Sequence, residues 1–315
     1  MVENKSLNVS LFYCIAKTRL NSYIKKALLM SAFFMSVSFG TAYAKNCSSF
    51  EKNHFKNNHF ESALVKWVYD GDTILVTNKN GEQKRKIRII GIDTPEVKHH
   101  KQKAQLYGAK AKEELRVLIK QSNYQVFLEY DKEKQDRYKR DLAHVFLTDG
   151  TNIAEWLLRQ GYAKTLVYPP NVKYIECYKK TERKAQQQKK RLWSLKGNQI
   201  VKASELKSRK KGYIRLKAKV NRVIKQKKSV VLTLESHSKK PIKVRIRNKY
   251  LPYFKEINLN ELVSHEVIVS GVLKKKKRNR TIDIKHLIQL DRSRSTTIKS
   301  NKRGKKILPK IQWSE

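Results

Sequence analysis

Leu64-Val65-Lys66-Trp67-Val68-Tyr69-Asp70-Gly71-Asp72-Thr73-Ile74-Leu75-Val76-Thr77 reads as two short strands joined by an Asp-Gly-Asp turn. β-Branched and aromatic residues crowd both arms, and the turn supplies the residues that tolerate sharp backbone angles. Asn80-Gly81 is a second hairpin signal. Lys84 to Ile92 alternates charge with isoleucine and is read as a third strand. Residues 103–120 have helical spacing, with Ala104, Tyr107, Ala111, Leu115 and Leu118 on one side. Gln125 to Tyr130 and Leu142 to Leu147 are two further strands. Asp149-Gly150 turns the chain into an amphipathic helix, Asn152 to Gln160, closed by Gly161, and Asn171 to Leu192 is a charged third helix. Five strands with three helices give an α+β fold built on a five-stranded OB-type barrel.

Around Lys196-Gly197-Asn198 the pattern resets. From Tyr213 onward Ile214, Leu216, Ala218 and Val220 alternate with Arg215, Lys217 and Lys219. Strands at Val230 to Leu234 and Ile242 to Arg247, a helical piece near Leu259 to Val263, and strands at Val267 to Val272 and Thr281 to Leu290 follow. That order predicts a second, small, mostly β barrel of OB type, with an SH3-like barrel as the competing topology. The resulting division is an export signal (1–44), a polar leader (45–61), a first domain (62–197), a basic second domain (198–291) and a basic tail (292–315) whose composition predicts disorder.

The 315 residues carry 71 lysines and arginines against 27 acids, a formal net charge of +44. Residues 201–315 alone hold 34 basic and 8 acidic side chains. Such a charge favours polyanions through counterion release, and the basic second domain and tail are expected to hold a polynucleotide, the alternative being a docking module for another protein or an anionic envelope surface. Lys25-Lys26, the apolar run Ala27 to Gly40 and Ala42-Tyr43-Ala44 have the pattern of an export signal with a small-x-small cleavage site. Export predicts a periplasmic or secreted protein with no stable membrane span once the signal is removed; an uncleaved anchor is the alternative. In an oxidising compartment Cys47 and Cys177 are available for one disulfide, the other reading being two separate thiols.

Against this basic background the acids Asp70, Asp72, Asp93 and Glu96 gather with Arg88 within one segment. Asp72 and Asp93 are hard oxygen ligands which, with the backbone carbonyl of Thr94, suit Ca²⁺ better than a soft metal. Residues 62–194 resemble the staphylococcal nuclease (thermonuclease) family. The landmarks, in order, are Asp70-Gly71-Asp72-Thr73, Arg88-Ile89-Ile90-Gly91-Ile92-Asp93-Thr94-Pro95-Glu96, Tyr107-Gly108, Asp136-Arg137-Tyr138-Lys139-Arg140, Arg159-Gln160-Gly161-Tyr162-Ala163 and Leu192-Trp193-Ser194. The resemblance implies a Ca²⁺-dependent endonuclease that cleaves DNA and RNA to 3′-phosphate ends. It implies Asp72, Asp93 and Thr94 as calcium ligands with Asp70 as a supporting acid. Glu96 is implied as general base or water-orienting group, and Arg88 and Arg140 as the phosphate clamp. Arg137, Tyr138 and Tyr168 would contact substrate.

The chain departs from the family pattern at two places. Lys139 stands where the family has glycine, so a left-handed backbone there would strain it and shift Arg140. Leu166 or Val167 replaces one of two stacking tyrosines, and a lost stack is worth roughly 1–3 kcal/mol per base. His99 and His100 are read as solvated loop residues. Two other classes share the charge: a non-catalytic nucleic-acid-binding protein on a nuclease fold, and an envelope-associated structural protein. No protein partner is implied.

Overall fold

The alternating segments from residue 61 onward close into two barrels, each with helical or 3₁₀ segments laid against it. The computed structural model describes residues 55, 59–78, 80–97, 104–206, 211–236, 241–276 and 279–292. The expected export signal, Cys47, His99 and His100, and the basic tail beyond Arg292 lie outside the described residues.

In the first half the elements are β1 (Glu61–Asp70), β2 (Thr73–Thr77), β3 (Arg85–Ile89), β4 (Ile92–Asp93), α1 (Gly108–Gln121), β5 (Gln125–Gln135), β6 (Asp141–Leu147), α2 (Ile153–Arg159), β7 (Lys164–Thr165) and α3 (Ile175–Gln187). Strands β1, β2, β3, β6 and β5 form a closed barrel in that order. Neighbours are antiparallel except β3 and β6, which run parallel. Two registers matter for the site: Asp70 faces Thr73, and Thr73 faces Arg88. They bring the acidic turn and the arginine to one end of the barrel.

The single third strand expected over Lys84 to Ile92 is broken. Gly91 has φ 88°, a left-handed angle, so Ile92–Asp93 leaves the barrel and pairs with β7 instead. Helix α1 starts only at Gly108, because Tyr107 takes a left-handed angle (φ 71°) and Ala104 is exposed ahead of it; the remaining three members of the expected stripe, Ala111, Leu115 and Leu118, are buried in the core of the first barrel. α2 starts at the Asn152 cap, whose side chain accepts from the Glu155 N–H. α3 is shorter than the segment expected over Asn171 to Leu192.

The second half contains β8 (Ile200–Lys202), β9 (Gly212–Gln226), β10 (Ser229–Leu234), β11 (Ile242–Arg247), β12 (Glu266–Lys276), β13 (Asn279–Ile284) and β14 (Leu290–Arg292). β9, β10, β11, β13 and β12 close on themselves through the β12–β9 pairing, and β11 runs parallel to β13. The strand order repeats that of the first barrel, so the OB-type reading holds for both. Ile214, Leu216 and Val220 point into the core as the alternation indicates. The helix expected between the third and fourth barrel strands is replaced by two 3₁₀ segments, Asn248–Phe254 and Leu259–Leu262. Pro252 inside the first has no N–H to give, and the second is only one turn long.

The barrels meet along α3. Ile288, just past β13, packs into the core of the first barrel. Arg183 pairs with Asp291, and Arg215 lies over the Trp193 ring at 5.6 Å. Cys177 on α3 is disulfide-bonded.

A buried hydroxyl joins three elements of the first barrel. Tyr178 Oη on α3 lies 3.0 Å from His144 Nδ1 on β6 and accepts from Asn152 Nδ2 at 3.0 Å. Burial, with the positive charge of Lys173 adding to it, pushes the His144 imidazole down to about 3. The folded chain therefore keeps His144 neutral where the unfolded chain titrates at about 6.5. Its contribution to stability is complete above pH 6.5 and is lost progressively as pH falls toward 3. Urea unfolding of wild type and His144→Leu at pH 7, 6, 5 and 4 should show the wild type losing stability more steeply than the variant. Parallel pH curves would contradict this.

Candidate active site

The tight Asp70–Thr73 turn is possible because residue 71 is glycine. A Cβ there would lie 2.8 Å from Thr94 Cγ2 and 2.9 Å from Ala111 Cβ. The turn thus packs directly against the loop after β4 and against α1. Asp72 is buried, and its carboxylate is the junction of the site. Oδ2 accepts from the Thr94 N–H at 2.9 Å and from Thr94 Oγ1 at 3.1 Å, and lies 3.0 Å from Arg88 Nη2. Oδ1 accepts from Thr73 Oγ1 at 3.0 Å. Arg88 Nη2 also reaches Asp93 Oδ1 at 3.6 Å, while its Nη1 donates to the Ile89 carbonyl at 2.9 Å. Arg88 does not point into solvent; it bridges two carboxylates at the barrel's end.

Crowded acids show their strain in their proton affinities. Burial, then the negative charge of Asp72, pushes the Asp70 carboxyl up to about 6, although its Oδ1 accepts from the Asp72 N–H at 3.0 Å. Asp93 is also pushed up, by desolvation first, with Arg88 opposing and Asp72 and Glu96 adding. Its side chain nevertheless keeps 53% of its surface open, so this carboxylate is the accessible one of the group.

Glu96 is held by its backbone. The Gln105 N–H donates to the Glu96 carbonyl at 2.9 Å, and Gly108 lies so close beneath that a Cβ would sit 2.4 Å from that oxygen. The Tyr107-Gly108 landmark therefore seats the Glu96 loop on the start of α1.

Arg137, Tyr138 and Arg140 sit together in the β5–β6 turn, separate from the acids in their contacts. Asp136 organises that turn: Oδ1 accepts from the N–H groups of Tyr138 (2.8 Å) and Arg140 (3.0 Å), and Oδ2 accepts from Arg140 Nε (2.8 Å). Partial burial pushes the Asp136 carboxyl up, but these donors outweigh it and hold it below the usual range. Lys139 has φ 59°, so the left-handed position is real and lysine occupies it. The turn still closes, with Lys139 N–H donating to the Asp136 carbonyl at 3.0 Å, and Arg140 stays on Asp136. Tyr138 is exposed, with the Arg137 guanidinium 4.6 Å above its ring.

Tyr168 is exposed, and Lys285 of the second barrel places Nζ 3.1 Å from its ring centroid. Val167 is buried in the core and the Leu166 N–H is tied to the Gly91 carbonyl at 2.9 Å, so this loop presents one aromatic ring where the family pattern has two.

One pair was not legible in the sequence. Glu182 and Lys179 on α3 form a buried ion pair at 2.9 Å, and Glu182 Oε1 accepts from the Thr165 N–H at 2.8 Å. Thr165 faces Ile92, and Lys164 faces Asp93, across the β4–β7 ladder. Glu182 therefore fixes the strand that supports Asp93. In sequence the pair looks like any i,i+3 pair on a solvated helix, and only burial distinguishes it.

Residues 86–195 match the family model described as staphylococcal nuclease homologue. The thermonuclease of Staphylococcus intermedius is 39% identical over 133 residues, 42% of this chain and 76% of that protein. The thermonuclease of Staphylococcus hyicus is 38% identical over 145 residues, 46% of this chain and 83% of that protein. The chain belongs to the staphylococcal nuclease family. An endonuclease of Bacillus subtilis, the prophage-derived YokF, is 42% identical over 131 residues, 41% of this chain and 42% of its own length. The family match ends at residue 195, before β8, so the second barrel lies beyond it.

Two substitutions test this geometry. Lys139→Gly should raise the unfolding free energy by about 1 kcal/mol, because glycine carries no left-handed penalty; an unchanged or lower thermal midpoint would contradict it. Gly108→Ala should displace the Glu96 loop. The observable is a fold retained by circular dichroism with hydrolysis of DNA reduced at least tenfold; full retained activity would show that Glu96 does not depend on this seat.

Proposed function

We propose that the chain is an exported, Ca²⁺-dependent endonuclease that hydrolyses phosphodiester bonds of DNA and RNA, leaving 3′-phosphate ends. The observation that carries this reading is Arg88 set between Asp72 and Asp93, with Glu96 close enough to act on Asp93 electrostatically. The thermonuclease and endonuclease activities named for the relatives support it.

The donors fit calcium. Among the described residues no three His, Cys, Asp or Glu side chains converge as a self-sufficient metal cage. Asp93 would supply an open carboxylate, Asp72 a second one by exchanging one of the donors it now holds, and Thr94 a backbone carbonyl; all are oxygen, and Ca²⁺ readily completes its shell with water. Asp70 and Asp93 are pushed up by burial first and by neighbouring acids second, and a bound cation would oppose both effects by favouring the charged carboxylates. When bound, the ion supplies charge neutralisation at the phosphate and acidifies water.

The chain's own residues do the rest. Glu96 takes the proton of the attacking water, whose oxygen forms the new bond to phosphorus. The bond from phosphorus to the 5′ oxygen breaks, and phosphate remains on the 3′ side. Arg88 spreads two N–H donors over the non-bridging oxygens, a geometry that a lysine ammonium cannot copy. Arg140, released from or shared with Asp136, meets charge on the departing oxygen. Tyr168 and Tyr138 offer ring faces to bases, and Arg137 a cation to the backbone.

Full-length protein incubated with plasmid DNA and with RNA, in Ca²⁺ and in excess chelator, tests the proposal. Glu96→Gln should lower hydrolysis by about 10²–10⁴-fold, in the range of a lost general base. Arg88→Lys should be impaired at least as strongly as a misplaced clamp predicts, about 10²-fold. Tight binding without cleavage in either metal condition would sink the enzyme and leave a binding protein.

A further inference from the structure

We propose that the outer face of β11 and its neighbours in the second barrel is a phosphate-binding track that receives a single polynucleotide strand directly from the nuclease site, with Lys285 and Tyr168 as the junction. This inference rests on the nuclease reading for where the strand comes from, but not for its binding.

Alternation puts Lys243, Arg245 and Arg247 on the outer side of β11, while Ile242, Val244 and Ile246 fill the core. Successive outward side chains on a strand stand about 7 Å apart, so three cations line one path. β13 runs beside β11 in parallel, with Asp283 opposite Arg245. Asp283 bonds Arg245 Nε at 2.6 Å and Lys274 Nζ at 3.2 Å. Asp283 is thus spent in orienting two cations. Lys243, Arg247, Lys249 and Lys274 are exposed.

Lys285 follows β13 and carries this face to the first barrel. Its Nζ sits 3.1 Å from the Tyr168 ring centroid. Burial, then the charges of Lys274, Lys249 and Arg247, pushes its ammonium down to about 8. These cations are therefore close enough to repel one another, and a polyanion would relieve that repulsion. Tyr168 lies three residues past β7, the strand paired with Asp93's strand. A strand leaving Asp93 across Tyr168 would meet Lys285 next.

The occupant is a polynucleotide strand rather than an anionic membrane for two reasons. The cations form a line on a curved barrel wall, and the line begins at an exposed aromatic ring on the loop after β7, the strand paired with Asp93's strand. Rings and cations in series are the arrangement that holds bases and phosphates of single strands. β11 turns its own apolar side chains inward, so this strand offers none to insert into a bilayer.

The test uses the full chain carrying Glu96→Gln, with or without Lys249→Ala plus Lys274→Ala. Fluorescence anisotropy reads the affinity for labelled DNA strands of six and twenty nucleotides across a salt series. A second pair, Lys120→Ala plus Lys184→Ala on exposed helix positions, controls for net charge, and thermal midpoints check folding. The track predicts at least a tenfold loss on the twenty-mer and no more than twofold on the six-mer. It also predicts that the salt slope falls by about 1.4, about 0.7 for each phosphate contact on a single strand. An equal loss on both lengths, no loss, or the same loss from the control pair would overturn the proposal. So would loss of binding to phosphatidylserine vesicles with twenty-mer affinity retained. Failure of the wild type to cleave would remove the nuclease reading without touching this measurement.

Discussion

The candidate site hangs on one buried carboxylate. Asp72 Oδ2 takes two donors from Thr94 and faces the Arg88 guanidinium, so a single group ties the β1–β2 turn, β3 and the loop after β4. A buried carboxylate is tolerated only when its charge is met and its lone pairs are occupied. Here the same contacts that satisfy Asp72 also aim Arg88 at Asp93. Folding and site assembly are therefore one event: a chain that has buried Asp72 correctly has already placed its arginine.

Further supports work at longer range by the same logic. Gly71 and Gly108 allow backbone approaches that any side chain would block, so the turn and the Glu96 loop rest directly on α1. Glu182 reaches from α3 to the strand that supports Asp93. The Tyr178 hydroxyl joins β6, α2 and α3. The Asp136 turn shows the opposite economy. Its donors hold Arg140 firmly enough that lysine at a left-handed position does not open it, which answers the concern raised by the missing glycine.

The second barrel changes the setting of the first. Both have the same strand order, yet the acidic cluster stands on one and the line of cations on the other. α3 is packed between them, with Ile288 buried on the nuclease side. Tyr168, expected as a free stacking ring, is covered on one side by Lys285. That ring is therefore shared between both barrels.

Strand alternation, turn residues and the ordered landmarks from Asp70 to Trp193 were enough to identify two OB-type barrels, the family and the acid–arginine set. These features are local: period-two burial and tight turns depend on neighbours in sequence. Tertiary structure alone decided the break of the third strand at Gly91, the 3₁₀ segments in place of a helix, the burial of the Lys179–Glu182 pair, and the meeting of Lys285 with Tyr168. The pairing of Ile92–Asp93 with β7 after that break, the buried pair and the ring contact depend on groups far apart in the chain, and whether a charge is buried or solvated is set by what packs over it, which no local pattern records.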